Sequence, residues 1–311
     1  MKVVFMGTPE FAVPCLRELH AKHEVVAVVT QPDRRRGRGQ LYSFSPVKQF
    51  AVERNLKVLQ PEKVNDSEFI DELSGYEADI FVIVAFGQKI PESLLNMPIH
   101  GCINVHSSLL PKFRGAAPIN AAIAAGHGQT GVTTMYLASG WDTGDIILQR
   151  EVPILQRDTA GSLHDRLMEI GAELLIETLE QIEMGKAPRI VQNHDEATYA
   201  FKLKKGDGRV DLSLPARELD FLIRGMNPWP GAFITIEKED VKIWEALPCD
   251  EGGKAGEILD ISARGLLVGC GKGSLLLQRL QRPNSKATSG QDFANGLRLV
   301  VGDSLKNPNR A

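Results

Sequence analysis

Five short apolar runs punctuate the first half of this chain, at residues 2–6, 25–30, 80–85, 101–106 and 131–137. Between them lie stretches of helical period, such as residues 10–21, where Phe11, Pro14, Cys15, Leu16 and Leu19 fall on a core-facing side. Strands that are apolar throughout must be buried on both faces, and strands separated by helices form βαβ units. The pattern predicts an α/β fold: a doubly wound, mostly parallel sheet covered by helices on both sides. The long segment 159–184, rich in Leu, Glu and Ile, is expected to be a helix closing this first domain.

From residue 206 the pattern changes. A helical stretch at 216–225 runs into Asn227-Pro228-Trp229-Pro230-Gly231, where two prolines forbid a helix. Short runs then recur at 232–236, 241–246, 256–260, 265–269 and 274–280, the last two split by Cys270-Gly271-Lys272-Gly273 as in a hairpin. About five closely spaced strands predict a smaller, open β-barrel of the oligonucleotide-binding type. The expected organisation is a domain over 1–189, a linker over 190–205 and a β-barrel domain over 206–311. Charge divides in the same sense. Residues 1–200 hold 19 basic and 25 acidic side chains, and residues 201–311 hold 17 and 14. A net +3 on the C-terminal part, within a chain of net −3, permits a phosphate-contacting surface.

Several function classes fall away on composition. At 43% hydrophobic and 24% charged residues, the chain reads as an ordinary globular protein. It has no apolar run of the ~20 residues needed to span a bilayer. The N-terminal run is too short for a signal peptide. Cys15, Cys102, Cys249 and Cys270 form no CxxC pair, which argues against zinc or a disulfide framework and suits the cytoplasm of a bacterial-type cell. Gly7-Thr8-Pro9 follows the first strand but lacks the G-x-G-x-x-G of a dinucleotide site, and Pro9 fits the first turn of a helix.

The densest chemical signal runs from Gly101 to Pro118. On a strand, Asn104 and His106 share one face while Ile103 and Val105 take the other. These residues fall at the carboxyl end of an expected parallel strand, where open α/β sheets place ligands. An amide donor beside an imidazole suits acyl transfer, one stabilising an oxyanion and the other moving a proton. A lone histidine is as readily a satisfied core residue; the i, i+2 pairing with Asn104 and the Pro/Gly-rich loop that follows favour the catalytic reading. A second cluster, Gly140-Trp141-Asp142-Thr143-Gly144-Asp145, has turn composition. If Asp142 lies near His106 it can orient the imidazole. The spacing of Asp142, Asp145 and His106 is not that of a metal site, and no metal is expected.

Residues 104–118 together with Asp142-Thr143-Gly144 resemble the signature of the folate-dependent formyltransferases. Phe5-Met6-Gly7-Thr8-Pro9-Glu10-Phe11, the segment 31–39 and Asn227-Pro228-Trp229-Pro230 resemble its methionyl-tRNA branch. The resemblance spans nearly the whole chain. It implies a Rossmann-like first domain, 10-formyltetrahydrofolate as co-substrate, and formyl transfer to the α-amino group of initiator methionyl-tRNA. No membrane and no obligatory protein partner are implied. It assigns Asn104, His106 and Asp142 as the catalytic triad, with Asp142 holding His106. Ser108, Leu109, Leu110 and Pro111, with Phe86, Gly87, Gln88 and Ile90, become the folate-contacting loops. Leu109 and Leu110 are expected as apolar walls around backbone groups that read the pterin.

Arg34, Arg35, Arg36 and Arg38, flanked by Gly37 and Gly39, are expected to form a mobile loop that reads the tRNA, with Arg38 the foremost contact. Arg35-Arg36 stands where the family carries a less charged pair. Lys202, Lys204 and Lys205 are expected to meet acceptor-arm phosphates. Three alternatives remain at this stage: formylation of glycinamide ribonucleotide, formylation of an amino sugar, and RNA binding without catalysis. The first matches only about 200 residues, the second usually lacks the Gln-Pro-Asp-Arg segment, and the third does not need an intact triad.

Overall fold

The computed structural model describes residues 1–36 and 41–305. Contacts gather into two compact units, neither a single stretch of chain. The first takes Met1–Pro118, Thr130–Pro153 and His164–Ala200; the second takes Ile119–Gln129, Ile154–Leu163 and Phe201–Ala311.

The strands of the first unit are β1 (Lys2–Gly7), β2 (Glu24–Val29), β3 (Arg34–Arg36), β4 (Leu41–Ser43), β5 (Val58–Leu59), β6 (Ile80–Val84), β7 (Cys102–His106), β8 (Arg114–Gly115), β9 (Gln129–Tyr136), β10 (Ile146–Pro153) and β11 (Tyr199–Ala200). Seven of them form one sheet in the order β10-β9-β7-β6-β1-β2-β5. From β5 to β7 all pairings are parallel, as the apolar runs require. Each residue of β6 (Ile-Phe-Val-Ile-Val) is buried, so neither face of this central strand meets water. The helices of this unit are α1 (Val13–Lys22), α2 (Pro46–Glu53), α3 (Ser67–Ser74) and α4 (Glu92–Leu95). Past its first residue, α5 (Pro118–Ala124) falls in the second unit's segment Ile119–Gln129; α6 (Ala160–Glu183), whose first turn lies in the segment Ile154–Leu163, matches the expected closing helix.

The strand pairings add one direction and correct one expectation. β9 pairs with β7 antiparallel, with Ile103 opposite Tyr136 and His106 opposite Thr133. The carboxyl end of β9 therefore adjoins Cys102 rather than His106, and Asp142 lies in the β9–β10 connection, as the turn composition of 140–145 leads one to expect. Hydrophobic periodicity marks a strand without giving its direction. Second, Arg34–Arg36 are paired strand residues, Arg34 opposite Ser43 and Arg36 opposite Leu41, where a mobile loop was expected. Arg38 lies outside the described residues.

The expected linker is not free chain over its first part. Gln192 is buried, and β11 pairs in parallel with β8, Tyr199 beside Arg114 and Ala200 beside Gly115.

In the second unit α7 (Ala216–Gly225) precedes β12 (Ala232–Ile236), β13 (Glu239–Cys249), β14 (Ile258–Ser262), β15 (Gly265–Gly269), β16 (Ser274–Gln281), β17 (Thr288–Ser289) and α8 (Gly290–Gly296). The sheet is antiparallel in the order β12-β13-β16-β15-β14, with β17 added to β16. Register shifts in β13 near Glu245 bend the longest pairing. Its core gathers Ile234, Val241, Ile243, Leu266, Val268, Leu275, Leu277 and Phe293. Asn120 donates to the carbonyl of Gly225 (2.7 Å) and Arg224 to that of Asp158 (2.9 Å), which draws the two short earlier segments into this unit. Among the described residues no helix is long and apolar enough to cross a membrane.

Candidate active site

The five residues of β7, Cys-Ile-Asn-Val-His, are all buried. Ile103 and Val105 are 0% and 3% exposed, so they anchor the strand, and Asn104 and His106 share the other face at 9% and 6%. The Asn104 amide makes no hydrogen bond to another described side chain or backbone group. A nearly buried amide of this kind is ready to donate to a ligand oxygen.

His106 is better constrained. Its Nε2 lies 3.0 Å from the carbonyl oxygen of Phe113. A carbonyl can only accept, so Nε2 carries the hydrogen and Nδ1 presents its lone pair in the neutral ring. Nδ1 faces Asp142 Oδ2 at 3.8 Å, too long for a hydrogen bond. The hydrogen bond that orients the imidazole thus comes from the Phe113 carbonyl, with Asp142 at ion-pair distance from the other ring nitrogen. Asp142 supplies negative charge opposite the ring nitrogen that can take a proton.

Asp142 is itself held at two points, and its turn at a third. Its Oδ2 accepts from the Gly115 N–H at 2.7 Å, and the Gln192 amide donates to the carbonyls of Asp142 (2.9 Å) and Gly144 (2.7 Å). These contacts maintain Asp142 at φ +52°, a left-handed conformation that Asp tolerates better than most residues. Gly115 has no substitute. At φ +115°, a Cβ there would sit 2.6 Å from the carbonyl oxygen of Ala200.

Behind this contact Arg114 is 2% exposed, and its Nε and Nη2 donate to Gln192 Oε1 at 3.1 and 2.7 Å. Its Nη2 also donates to His194 Nδ1 at 3.1 Å. The Arg114 donors fix which end of the Gln192 amide is oxygen, and so turn its NH2 toward the Asp142 turn. Arg114 and Gly115 lie inside the conspicuous 101–118 run, but their roles could not be read there. Gln192 carries no signal at all, because a glutamine in an expected linker resembles a solvated one.

The candidate folate loops leave the carboxyl ends of two adjacent parallel strands, β6 and β7, where Ile83 pairs with Asn104. Many of their polar groups are already engaged. Leu110 donates its N–H to Thr133 Oγ1 (3.2 Å) and accepts at its carbonyl from Gln149 (3.0 Å). Ser108 is fully buried, donating to the Lys112 carbonyl (2.6 Å) and accepting from Thr133. The Phe86 carbonyl accepts from Thr8 (3.1 Å), and Gln88 bridges the Val64 N–H and the Glu62 carbonyl. Phe86, Ile90 and Leu110 are buried apolar residues, Leu109 and Pro111 are partly exposed, and Gly87 is at φ +93°. Ser108, Leu110 and Gln88 therefore give the loops their shape.

Arg34 is exposed; the side chains of Arg35 and Arg36 lie outside what is described. Lys202, Lys204 and Lys205 are exposed in the second unit, where the Lys204 N–H donates to Asp207 (2.7 Å). Among the described residues no three His, Cys, Asp or Glu side chains group as metal ligands.

Comparison with known proteins matches both units. A family model described as formyl transferase covers residues 1–179, and one described as formyl transferase, C-terminal domain, covers residues 202–298. A methionyl-tRNA formyltransferase of Clostridioides difficile is 48% identical over 309 residues, covering 98% of this chain and 96% of the relative. One from Geobacter sulfurreducens is 46% identical over 306 residues, with 98% and 96% covered. Among solved structures, an N-formyltransferase from Helicobacter canadensis in complex with folinic acid and dTDP-3-aminofucose shares the fold. Its TM-score is 0.67 at 20% identity, over 91% of this chain and 99% of that one. HypX from Aquifex aeolicus in complex with tetrahydrofolic acid gives 0.63 at 18%, over 99% of this chain and 48% of that one. By both halves of its length, this chain belongs to the formyl transferase family.

Proposed function

We propose that this protein moves the formyl group of 10-formyltetrahydrofolate onto the α-amino group of initiator methionyl-tRNA, in the cytoplasm. The observation that carries the mechanism is the fixed His106 ring, with Nε2–H on the Phe113 carbonyl and Nδ1 toward Asp142. The unprotonated amine attacks the formyl carbon, a new N–C bond forms, and negative charge develops on the formyl oxygen. The Asn104 amide donates to that oxygen. His106 takes the proton lost by the amine at Nδ1, and the Asp142 carboxylate stabilises the cation so formed. Breaking the bond to the folate nitrogen restores the carbonyl. That nitrogen leaves with the proton His106 returns, and tetrahydrofolate is released.

Buried Phe86 and Ile90 with the Ser108–Pro111 turn form the folate side of the site. Arg34, Arg35, Arg36 and Arg38 read the acceptor end, and Lys202, Lys204 and Lys205 hold its phosphates. Residues 1–189 are then the catalytic part, 190–205 a connection and 206–311 the tRNA-holding part. The whole-chain match to methionyl-tRNA formyltransferases at 48% identity supports this substrate over a sugar or a free ribonucleotide.

The test offers purified protein and 10-formyltetrahydrofolate three acceptors in turn: charged initiator tRNA, glycinamide ribonucleotide and a nucleotide-linked amino sugar. Formyl transfer to the charged tRNA alone is expected. Transfer to the sugar with none to the tRNA overturns the reading.

A further inference from the structure

The strand that carries Arg34–Arg36 is flanked by an acidic residue, Asp33, whose presence beside a nucleic-acid-reading element is counterproductive by charge alone. The structure supplies a different reason for it. Asp33 is ion-paired with Lys48 across the base of the β3–β4 ladder. Gln60 completes the group: its NH2 donates to Asp33 Oδ1 (3.1 Å) and to the Gln31 carbonyl (2.9 Å), and its Oε1 accepts from Lys48 Nζ (2.7 Å). Lys48 Nζ also lies 4.2 Å from the centre of the Phe44 ring. A second cross-link lies beside the first, the buried 2.9 Å contact between the hydroxyls of Thr30 and Ser45. Both links join residues 15 apart, one before β3 and one after β4.

We propose that Asp33, Lys48 and Gln60 form a clamp at the foot of β3 and β4 that positions the arginines for the nucleic-acid substrate, without touching that substrate. The proposal rests on the tRNA reading above. Two observations separate it from the simpler idea that Lys48 is one more phosphate contact. The Lys48 and Asp33 side chains are only 14% and 21% exposed, unlike a phosphate-seeking surface lysine. Two of the three Lys48 N–H donors are engaged by Asp33 and Gln60 and its ammonium lies over the Phe44 ring, so swinging out to a phosphate would break both bonds and that contact. Burial works against the Asp33 carboxylate, yet the Lys48 and Gln60 hydrogen bonds outweigh it and hold its pKa below the usual carboxylate value.

The two ideas predict opposite signs. Asp33→Asn removes a negative charge near a polyanion, so on electrostatics alone it improves tRNA use. The clamp predicts that Asp33→Asn raises KM for methionyl-tRNA about tenfold, roughly 1.4 kcal/mol, with KM for 10-formyltetrahydrofolate unchanged. Lys48→Met should do the same, Lys48→Arg should retain most of the function, and the Asp33→Asn/Lys48→Met pair should be no worse than the poorer single variant. Far-UV circular dichroism and the unchanged folate KM guard against simple misfolding. Should either neutralising variant fail to fold, Lys48→Arg and Gln60→Glu carry the same comparison of the two KM values. An unchanged or lowered tRNA KM in Asp33→Asn, multiplicative effects in the pair, or a salt-dependence slope reduced by about 0.9 in Lys48→Met would each overturn the clamp. A wild-type protein that formylates no methionyl-tRNA overturns the function first and the clamp with it; an active wild type with an indifferent Asp33→Asn overturns the clamp alone.

Discussion

The central strands of the first sheet and the outer pair of the second, β12 and β13, are built on opposite terms. In the first unit, β6 and β7 are buried at every position, so even Asn104 and His106 sit in a surrounding that excludes most water. In the second, β12 alternates buried and half-buried residues, and β13 does the same from Val241 to Trp244, until the irregularity at Glu245 breaks the rhythm. A sheet covered on both sides has no idle face, and a polar side chain placed there must be satisfied or functional. A sheet covered on one side can carry polar groups freely on the other. The difference makes a polar pair such as Asn104 and His106 conspicuous in β7, where polar side chains on the half-buried faces of β12 and β13 are not.

Three measurements can break or sharpen this contrast. The largest effect belongs to the reactive pair. His106→Ala should lower kcat by about 10²–10³ or more without unfolding the protein, and near-normal turnover would remove the histidine from the chemistry. The next compares the two kinds of strand. Ile103→Ala, fully buried in β7, should cost about 2–5 kcal/mol in denaturant unfolding, whereas Thr235→Ala, on the half-buried side of β12, should cost roughly 0.2–1 kcal/mol. Equal losses would erase the distinction. The smallest concerns thiols. Burial pushes Cys15 and Cys102 in the first unit up to about 12 and Cys270 to about 11. Cys249, at the half-exposed end of β13, is raised as well but remains within reach of solvent. Iodoacetamide near pH 8 should label Cys249 first and spare the other three until the protein unfolds; early loss of Cys15 or Cys102 would show that the first unit opens more readily than its packing implies.

Much of this was legible in the sequence, and the gaps have physical causes. Residues 216–225, 232–236 and 265–269 form the expected elements to the residue, because Pro215, Gly231, Gly265 and Gly269 mark most of their bounds. The reactive face of β7 follows from strand alternation alone. α2 was not among the expected elements, although its start, Ser45 as N-cap followed by Pro46 in the first turn, is a helix signal. The direction of β9 was not legible, since apolar periodicity is the same read either way. Nor were the partners of Asp142: Gly115 and Gln192 stand 27 and 50 residues away, and only the folded chain brings them together.

The position of Gln192 bears on how this protein comes off the ribosome. All seven strands of the first sheet are complete by Pro153, and α6 ends at Glu183. The residues that brace the Asp142 turn and the Gly115 contact, Gln192, His194 and Ala200, are synthesised only after that scaffold exists. Domains form from the N-terminus onward during synthesis. A nascent chain should therefore hold a finished sheet with Asn104 and His106 in register while the carboxylate opposite them still lacks its support. Support for that carboxylate arrives as a late, local event in translation, from residues between Gln192 and Ala200 that add nothing to the seven-stranded sheet.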